Sequence, residues 1–251
     1  MAPKRAIVRE PGESYAKCIS CHPLRDTINT QRAREQHARY CAALRELGLE
    51  VIHIPREDLL PDSCFVEDNA VVHHGKALIC RMARPERREE VGAVVELLQD
   101  MVKVKTASAP ATVEGGDVIH LDDRLISGMS QRTNAEGIRQ MRDWLEVDVS
   151  VVRDPNIVHL KSHITFLGKE TMVATKEYAS HPALEGFSVI TIPPEEAYAA
   201  DTLAIGDTVL MASGRPRSHD LVRKAGFRVM PLDVSEFEKC DGALTCLSIL
   251  L

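Results

Sequence analysis

Five side chains in this sequence have types suited to one reaction: Cys246 as nucleophile, His159 as acid and base, and Glu67, Asp68 and Glu114 as a cation-binding set. A free thiol ionises near about 8.5, so a neighbouring cation or base is needed to raise the thiolate fraction. Carboxylates placed immediately before apolar strands are costly to bury unless something cationic pairs with them. Several of them around one cysteine suggest a guanidinium pocket, because a planar cation with several N–H donors can saturate that many oxygens. Attack on the guanidinium carbon then needs an acid for the departing amine and a base for the incoming water, and one histidine can serve as both. Taken singly, each residue also has a structural reading. His159 could be a hydrogen-bonded core histidine. Asp68, Glu114 and Asp117 could be turn acids around Gly115-Gly116, and Arg87, Arg88 and Arg132 solvated helix-end charges. Their joint placement decides between the two.

That placement follows from a repeat. Segments rich in β-branched and apolar residues begin at 49, 101, 147, 187 and 227: LEVIHI, MVKVKT, VDVSVV, FSVITI and FRVMPL. Such a period calls for a repeat architecture. After each segment come a connector and two apolar strands around a polar turn, at 70–80, 117–128, 159–175, 201–212 and 243–251. Turns are expected at His74-Gly75, Asp122-Asp123, Gly168-Lys169 and Gly206-Asp207. The fifth hairpin has no return strand, so AIVRE (6–10) is expected to complete it. Helices are expected over Arg32–Leu47 with Gly48 as its stop, from Pro85, after an Asn134 cap and after a Ser218 cap. The fourth repeat has only a short candidate near Pro182–Glu185. The unit is β-β-α-β five times over, an α/β fold closed as a five-fold pseudosymmetric propeller. No interior linker appears, so residues 1–251 read as a single domain. In such a ring the hairpin entries FVEDNA (65–70), VEGGD (113–117), VHLKS (158–162), YAAD (198–201) and LTCLS (244–248) converge on one centre.

The bulk numbers exclude several classes. The 251 residues are 44% hydrophobic and 27% charged, as in a globular protein, and the net charge of −6 argues against nucleic acid as the main partner. No apolar run suggests a membrane span, and the N-terminus has no apolar signal core, so a cytoplasmic location is expected. Seven cysteines, an odd number, fit reduced thiols better than a disulfide framework. Cys18 and Cys21 form the one CxxC and lack a second pair for zinc. His73-His74 and His159…His163 lack metal-ligand spacing. No metal or cofactor is expected, and no phosphate-binding loop or dinucleotide fingerprint appears.

The set FVED (65–68), EGGD (114–117), RTNAEG (132–137), HLKS (159–162) and SEF…DG-x-LTCLS (235–248) resembles the dimethylarginine dimethylaminohydrolase family of the pentein superfamily, in order and spacing over nearly the whole chain. The resemblance implies a hydrolase acting on Nω-methylated arginines, giving citrulline and methylamine or dimethylamine through a covalent thiouronium on Cys246. His159 is then the general acid/base, with Glu114 among the catalytic set. Asp68 and Glu114 bind the guanidinium, with Glu67 beside them. Arg87 and Arg132 meet the α-carboxylate. Asp62 and backbone carbonyls near Cys240 and Asp241 meet the α-amino group. A lid loop is expected over 13–23, and a monomer or homodimer. The partner is a small molecule, the methylated arginine. The alternatives are another guanidine-modifying pentein such as an arginine deiminase, which usually carries an added helical domain, and a non-catalytic arginine-binding pentein.

Overall fold

A computed structural model describes residues 3–251 and contains five three-stranded sheets. Strand β1 (Arg5–Val8) is followed by α1 (Thr30–Glu46), β2 (Glu50–His53), β3 (Ala70–His73), β4 (Lys76–Ile79), α2 (Gly92–Gln99) and β5 (Lys103–Thr106). Then come β6 (Val118–His120), β7 (Arg124–Met129), α3 (Ala135–Leu145), β8 (Asp148–Arg153), β9 (Ile164–Gly168), β10 (Thr171–Thr175) and β11 (Ser188–Ile192). The chain finishes with β12 (Leu203–Ile205), β13 (Thr208–Ala212), α4 (Pro216–Lys224), β14 (Arg228–Leu232), α5 (Ser235–Glu238) and β15 (Ile249–Leu250).

Every sheet has the same make-up: an antiparallel hairpin whose second strand also pairs in parallel with the strand after the connection. The first sheet is built from both ends of the chain, with Ala6 opposite Leu250 and Val51, as the unpaired fifth hairpin required. The middle strands are buried almost end to end, β10 and β13 completely. This explains why they read as unbroken apolar runs, whereas the third strands mix half-buried and exposed residues.

The core is divided into wedges between neighbouring sheets. Ile7 of β1 packs with Ala77 of β4 and with Val94 and Leu98 of α2. Leu78 packs with Leu125 and with Met141 and Leu145 of α3, and Val173 with Val209 and Val222 of α4. Leu210 of β13 packs with Val8 of β1 and with Tyr40 and Leu44 of α1, which joins the fifth sheet to the first. Between the third and fourth sheets Tyr178 and Leu184 fill the wedge with no α-helix, in line with the weak helix signal there.

Local chemistry accounts for most boundaries. The side chains of Asn29 and Asn134 accept from the amides of Arg32 and Gly137, capping α1 and α3. Three expectations need correction. Ser218 does not cap α4, which already begins at Pro216. Its amide and hydroxyl are instead bound by Glu196 at 2.7 and 2.6 Å. Pro85 opens a 3-10 turn over Pro85–Val91 rather than α2 itself. The β9–β10 turn falls on Lys169-Glu170, both left-handed, because a bulge skips Leu167 and keeps Gly168 in the strand.

Candidate active site

All five hairpin entries fold as 3-10 turns: Val66–Asn69, Gly115–Asp117, Leu160–Ser162, Pro194–Ala200 and Thr245–Leu247. The turn at 66–69 packs against those at 115–117 and 245–247, and 160–162 packs against 115–117 and 194–200. The Thr245 amide donates to Asp201 Oδ1 at 3.3 Å, linking the last entry to the fourth in chain order. Short turns immediately before buried strands therefore bring polar residues to the axis. Glycine is needed where they touch. A Cβ on Gly115 would lie 2.0 Å from the Glu67 carbonyl oxygen, and one on Gly116 would lie 2.8 Å from both Asp68 Oδ1 and the His159 ring.

His159 Nε2 is 2.8 Å from Glu114 Oε2 and 3.6 Å from Asp68 Oδ1. Burial pulls the imidazole pKa down, but Asp68, the bond to Glu114 and Asp117 outweigh it and raise it to about 9. His159 is therefore an imidazolium at neutral pH. The contrast is His37, buried on α1 without a carboxylate beside it and held down to about 3 by burial and His53. Asp68 is the anionic counterpart. Burial would raise it, yet His159, Arg87 and the Gly116 amide, which donates at 2.9 Å, bring it to about 2. Asp117 accepts from the Leu160 amide at 2.9 Å and the Ser130 hydroxyl at 2.7 Å, tying the second entry to the residue after His159.

Cys246 is buried in its turn. Burial, then the carboxylates of Asp201, Glu67 and Asp68, push its thiol well above the usual range. The resting site thus pairs a neutral thiol with a protonated histidine, in a field of acids short of positive charge.

Arg87 is the buried member of the Arg84, Arg87, Arg88 group. Expected to face a substrate carboxylate, it is engaged by the protein's own acids. Nη1 lies 2.8 Å from Asp68 and 3.8 Å from Glu114, and Nε and Nη2 fork onto Glu90. Glu90 was not singled out from sequence, although its i,i+3 spacing from Arg87 is the signal for such a pair. Burial lifts Glu90 to about 7 even against Arg87. Arg132 Nη1 is buried without a hydrogen-bond partner, 3.9 Å from Glu114. Glu67, expected beside the guanidinium, binds Lys161 Nζ at 2.6 Å. Among the described residues, Asp68, Glu114 and His159 are the one group whose donors lie within 4.8 Å of one another, as a metal would need. Their oxygens accept from His159, Arg87 and the amides of Ala83 and Gly116.

Residues 13–23 pack against the segments that carry Asp62 and Asp241. Asp62 accepts from the Ile19 amide at 3.2 Å, Asp241 from the Cys21 amide at 3.0 Å, and the Ser20 hydroxyl donates to the Lys239 carbonyl at 3.0 Å. Asp241 takes a left-handed backbone, with φ of 54°. Cys240 is joined to Cys18 by a disulfide, contrary to the expectation of reduced thiols. The two are 222 residues apart, so spacing carried no signal for the pair. Cys21, Cys41, Cys64, Cys80 and Cys246 are free.

A family model described as N,N dimethylarginine dimethylhydrolase, eukaryotic, matches residues 19–248. The N(G),N(G)-dimethylarginine dimethylaminohydrolase of Pseudomonas aeruginosa is 36% identical over 251 residues, covering 98% of each chain. The chain belongs to the dimethylarginine dimethylaminohydrolase family. Its fold agrees. A cysteine-to-serine mutant of the Pseudomonas aeruginosa enzyme, complexed with citrulline, superposes with a TM-score of 0.97 at 34% identity over 100% of both chains. A histidine-to-glycine variant of a dimethylarginine dimethylaminohydrolase, an adduct with S-methyl-L-thiocitrulline, gives 0.96 at 35% identity over 99% of this chain and 100% of the other. The five-sheet architecture read from the repeats is that of the family.

Proposed function

We propose that this chain hydrolyses the guanidino group of Nω-methylated arginines to citrulline and methylamine or dimethylamine, with Cys246 as nucleophile and His159 as general acid and base. The observation that carries the reading is the meeting of an imidazolium, two buried carboxylates and a cysteine-bearing turn at one axis.

The acids account for substrate charge. Asp68 and Glu114 receive the guanidinium. A carboxylate oxygen accepts more than one donor, so Asp68 Oδ2 can keep Arg87 and still take a substrate N–H. Arg132, with its orphaned Nη1, and Arg87, held by Glu90, supply the positive end of the pocket for the α-carboxylate. Asp62, beside the main chain at Cys240 and Asp241, meets the α-amine. Glu67 acts from behind, as the partner of Lys161.

Binding sets the chemistry in motion. The substrate cation offsets the carboxylates that hold the thiol proton, so Cys246 gives that proton to solvent when its electrophile arrives. The thiolate attacks the guanidinium carbon, forming C–S. His159 gives its proton to the methylated nitrogen, and C–N breaks to release the amine. The neutral imidazole then takes a proton from water as water adds to the thiouronium. C–S breaks, the adduct's hydroxyl gives up its proton as it becomes the citrulline carbonyl, and that proton restores the Cys246 thiol as citrulline leaves. Segment 13–23 excludes bulk water meanwhile.

A cytoplasmic location and a monomeric or homodimeric state accompany this reading. Purified protein is to be given asymmetric dimethylarginine, monomethylarginine and arginine, with citrulline and the released amine measured separately. Citrulline with methylated amine is the expected result. Ammonia from arginine alone would favour the deiminase reaction instead.

A further inference from the structure

Behind Cys246 lies a buried polar cluster that the chemical steps above leave unused. Asp201, 4% exposed, stands at the entry to β12, and its Oδ1 accepts from the amide of Thr245, the residue before the nucleophile. Its turn is pinned on both sides. Thr165 Oγ1 donates to the Ala200 carbonyl at 2.8 Å, and Tyr198 Oη to the Gly242 carbonyl at 2.7 Å. Asp201 therefore sits in a rigid frame linking the fourth and fifth sheets to the segment that carries Cys246.

The charges facing this group do not balance. Glu67 and Asp201 are two buried carboxylates, and Lys161, bound to Glu67, is the one buried ammonium beside them. The Thr245 side chain lies between the two carboxylates and favours the ionised form of each. Above about pH 7, where Asp201 ionises, one negative charge is left over beside the turn that carries Cys246.

We propose that Asp201 is a positioning residue for the nucleophile: its carboxylate fixes the Thr245 amide, and its negative charge keeps Cys246 a thiol until a cationic substrate enters. Titration behaviour agrees with the geometry. Burial and then Glu67 raise Asp201 to about 7, against Thr245 and Lys161. After burial itself, Asp201 is the strongest influence raising the Cys246 thiol, ahead of Glu67 and Asp68. Tyr198 and Tyr40, which also face the thiol, are pushed well above their ordinary values and stay neutral. A thiol guarded in this way resists oxidation and alkylation while the pocket is empty.

The role of Asp201 in turnover rests on the hydrolase reading, but its effect on the thiol can be measured without substrate. Alkylation of Cys246 by iodoacetamide is to be followed against pH by peptide mass mapping in wild type, Asp201→Asn and Asp201→Ala, with circular dichroism as the fold control. Asparagine keeps an acceptor for the Thr245 amide and removes the charge, so the alkylation midpoint should move down by about one pH unit or more, roughly tenfold in rate at fixed pH. Alanine loses the anchor as well. It should show the same downward shift, with kcat lowered about tenfold or more and KM changed by less than about threefold. Identical alkylation profiles in wild type and Asp201→Asn would overturn the proposal, because a merely structural aspartate is replaced by asparagine without moving the thiol. Wild-type kcat in a folded Asp201→Ala would overturn the positioning half. Failure of every methylarginine to turn over would count against the hydrolase reading and leave the alkylation result to judge Asp201.

Discussion

Replacing Glu114 by glutamine tests the charge arrangement at its tightest point. Glu114 is fully buried, with Oε2 at 2.8 Å from His159 Nε2 and Oε1 accepting the Ala83 amide. Glutamine has nearly the same shape but one acceptor oxygen and no charge, so the imidazolium keeps at most a neutral partner. Hydrogen bonds to charged groups contribute about 1.5–3 kcal/mol, which corresponds to about one to two pKa units. His159 should therefore fall from about 9 to between roughly 7 and 8, Asp68 and Asp117 still supporting it. Titration of the imidazole resonances by NMR in substrate-free protein reads this directly. The sign also appears in stability. A histidine raised above its unfolded value stabilises the fold fully below about 6.5 and loses that contribution as pH rises through about 9. In Glu114→Gln the alkaline loss should be smaller and complete at lower pH. An unchanged His159 titration in the variant, or a wild-type value near that of free histidine, would refute the reasoning.

Three further outcomes follow from named contacts. Gly116→Ala places a methyl group 2.8 Å from Asp68 and His159, both held by other bonds, so thermal denaturation should show a loss of about 1–3 kcal/mol. Citrulline formation by that variant should fall by about tenfold or more, because the acid/base pair itself is displaced. Arg87→Lys keeps the charge but not the fork onto Glu90 and Asp68. Denaturant unfolding should register about 2 kcal/mol or more, and KM should rise more than kcat falls. Cys240→Ser opens the link to Cys18. Under non-reducing conditions it should lower stability by about 2–4 kcal/mol, and added reductant should destabilise wild type but not the variant.

The sequence revealed the fold wherever a local signal repeats. The five β-branched segments became β2, β5, β8, β11 and β14, and the orphaned fifth hairpin found β1 as its partner. Errors arose where two local signals competed. Gly168 looked like a turn but supports a bulge, and Ser218 looked like a cap although Pro216 had already begun the helix. The site was legible to the level of which hairpin entries converge, because residues before buried strands have no other place to go. What each side chain binds was less legible. Arg87 has three buried acids within reach, Glu67 goes to Lys161, and Cys18 finds Cys240 across 222 residues. Apart from Arg87–Glu90, whose i,i+3 spacing is a local signal, these pairings depend on three-dimensional neighbours that no spacing encodes.

The central claim is that Cys246 carries the substrate carbon in a covalent bond. Acid quenching during turnover of asymmetric dimethylarginine, followed by mass mapping of the peptide containing Cys246, tests it most directly. The account predicts a transient adduct on Cys246 with the mass of dimethylarginine less dimethylamine, absent from a folded Cys246→Ser variant that also makes no citrulline. Citrulline formation by that variant, or turnover with no adduct at any quench time while citrulline appears in a burst, would contradict it.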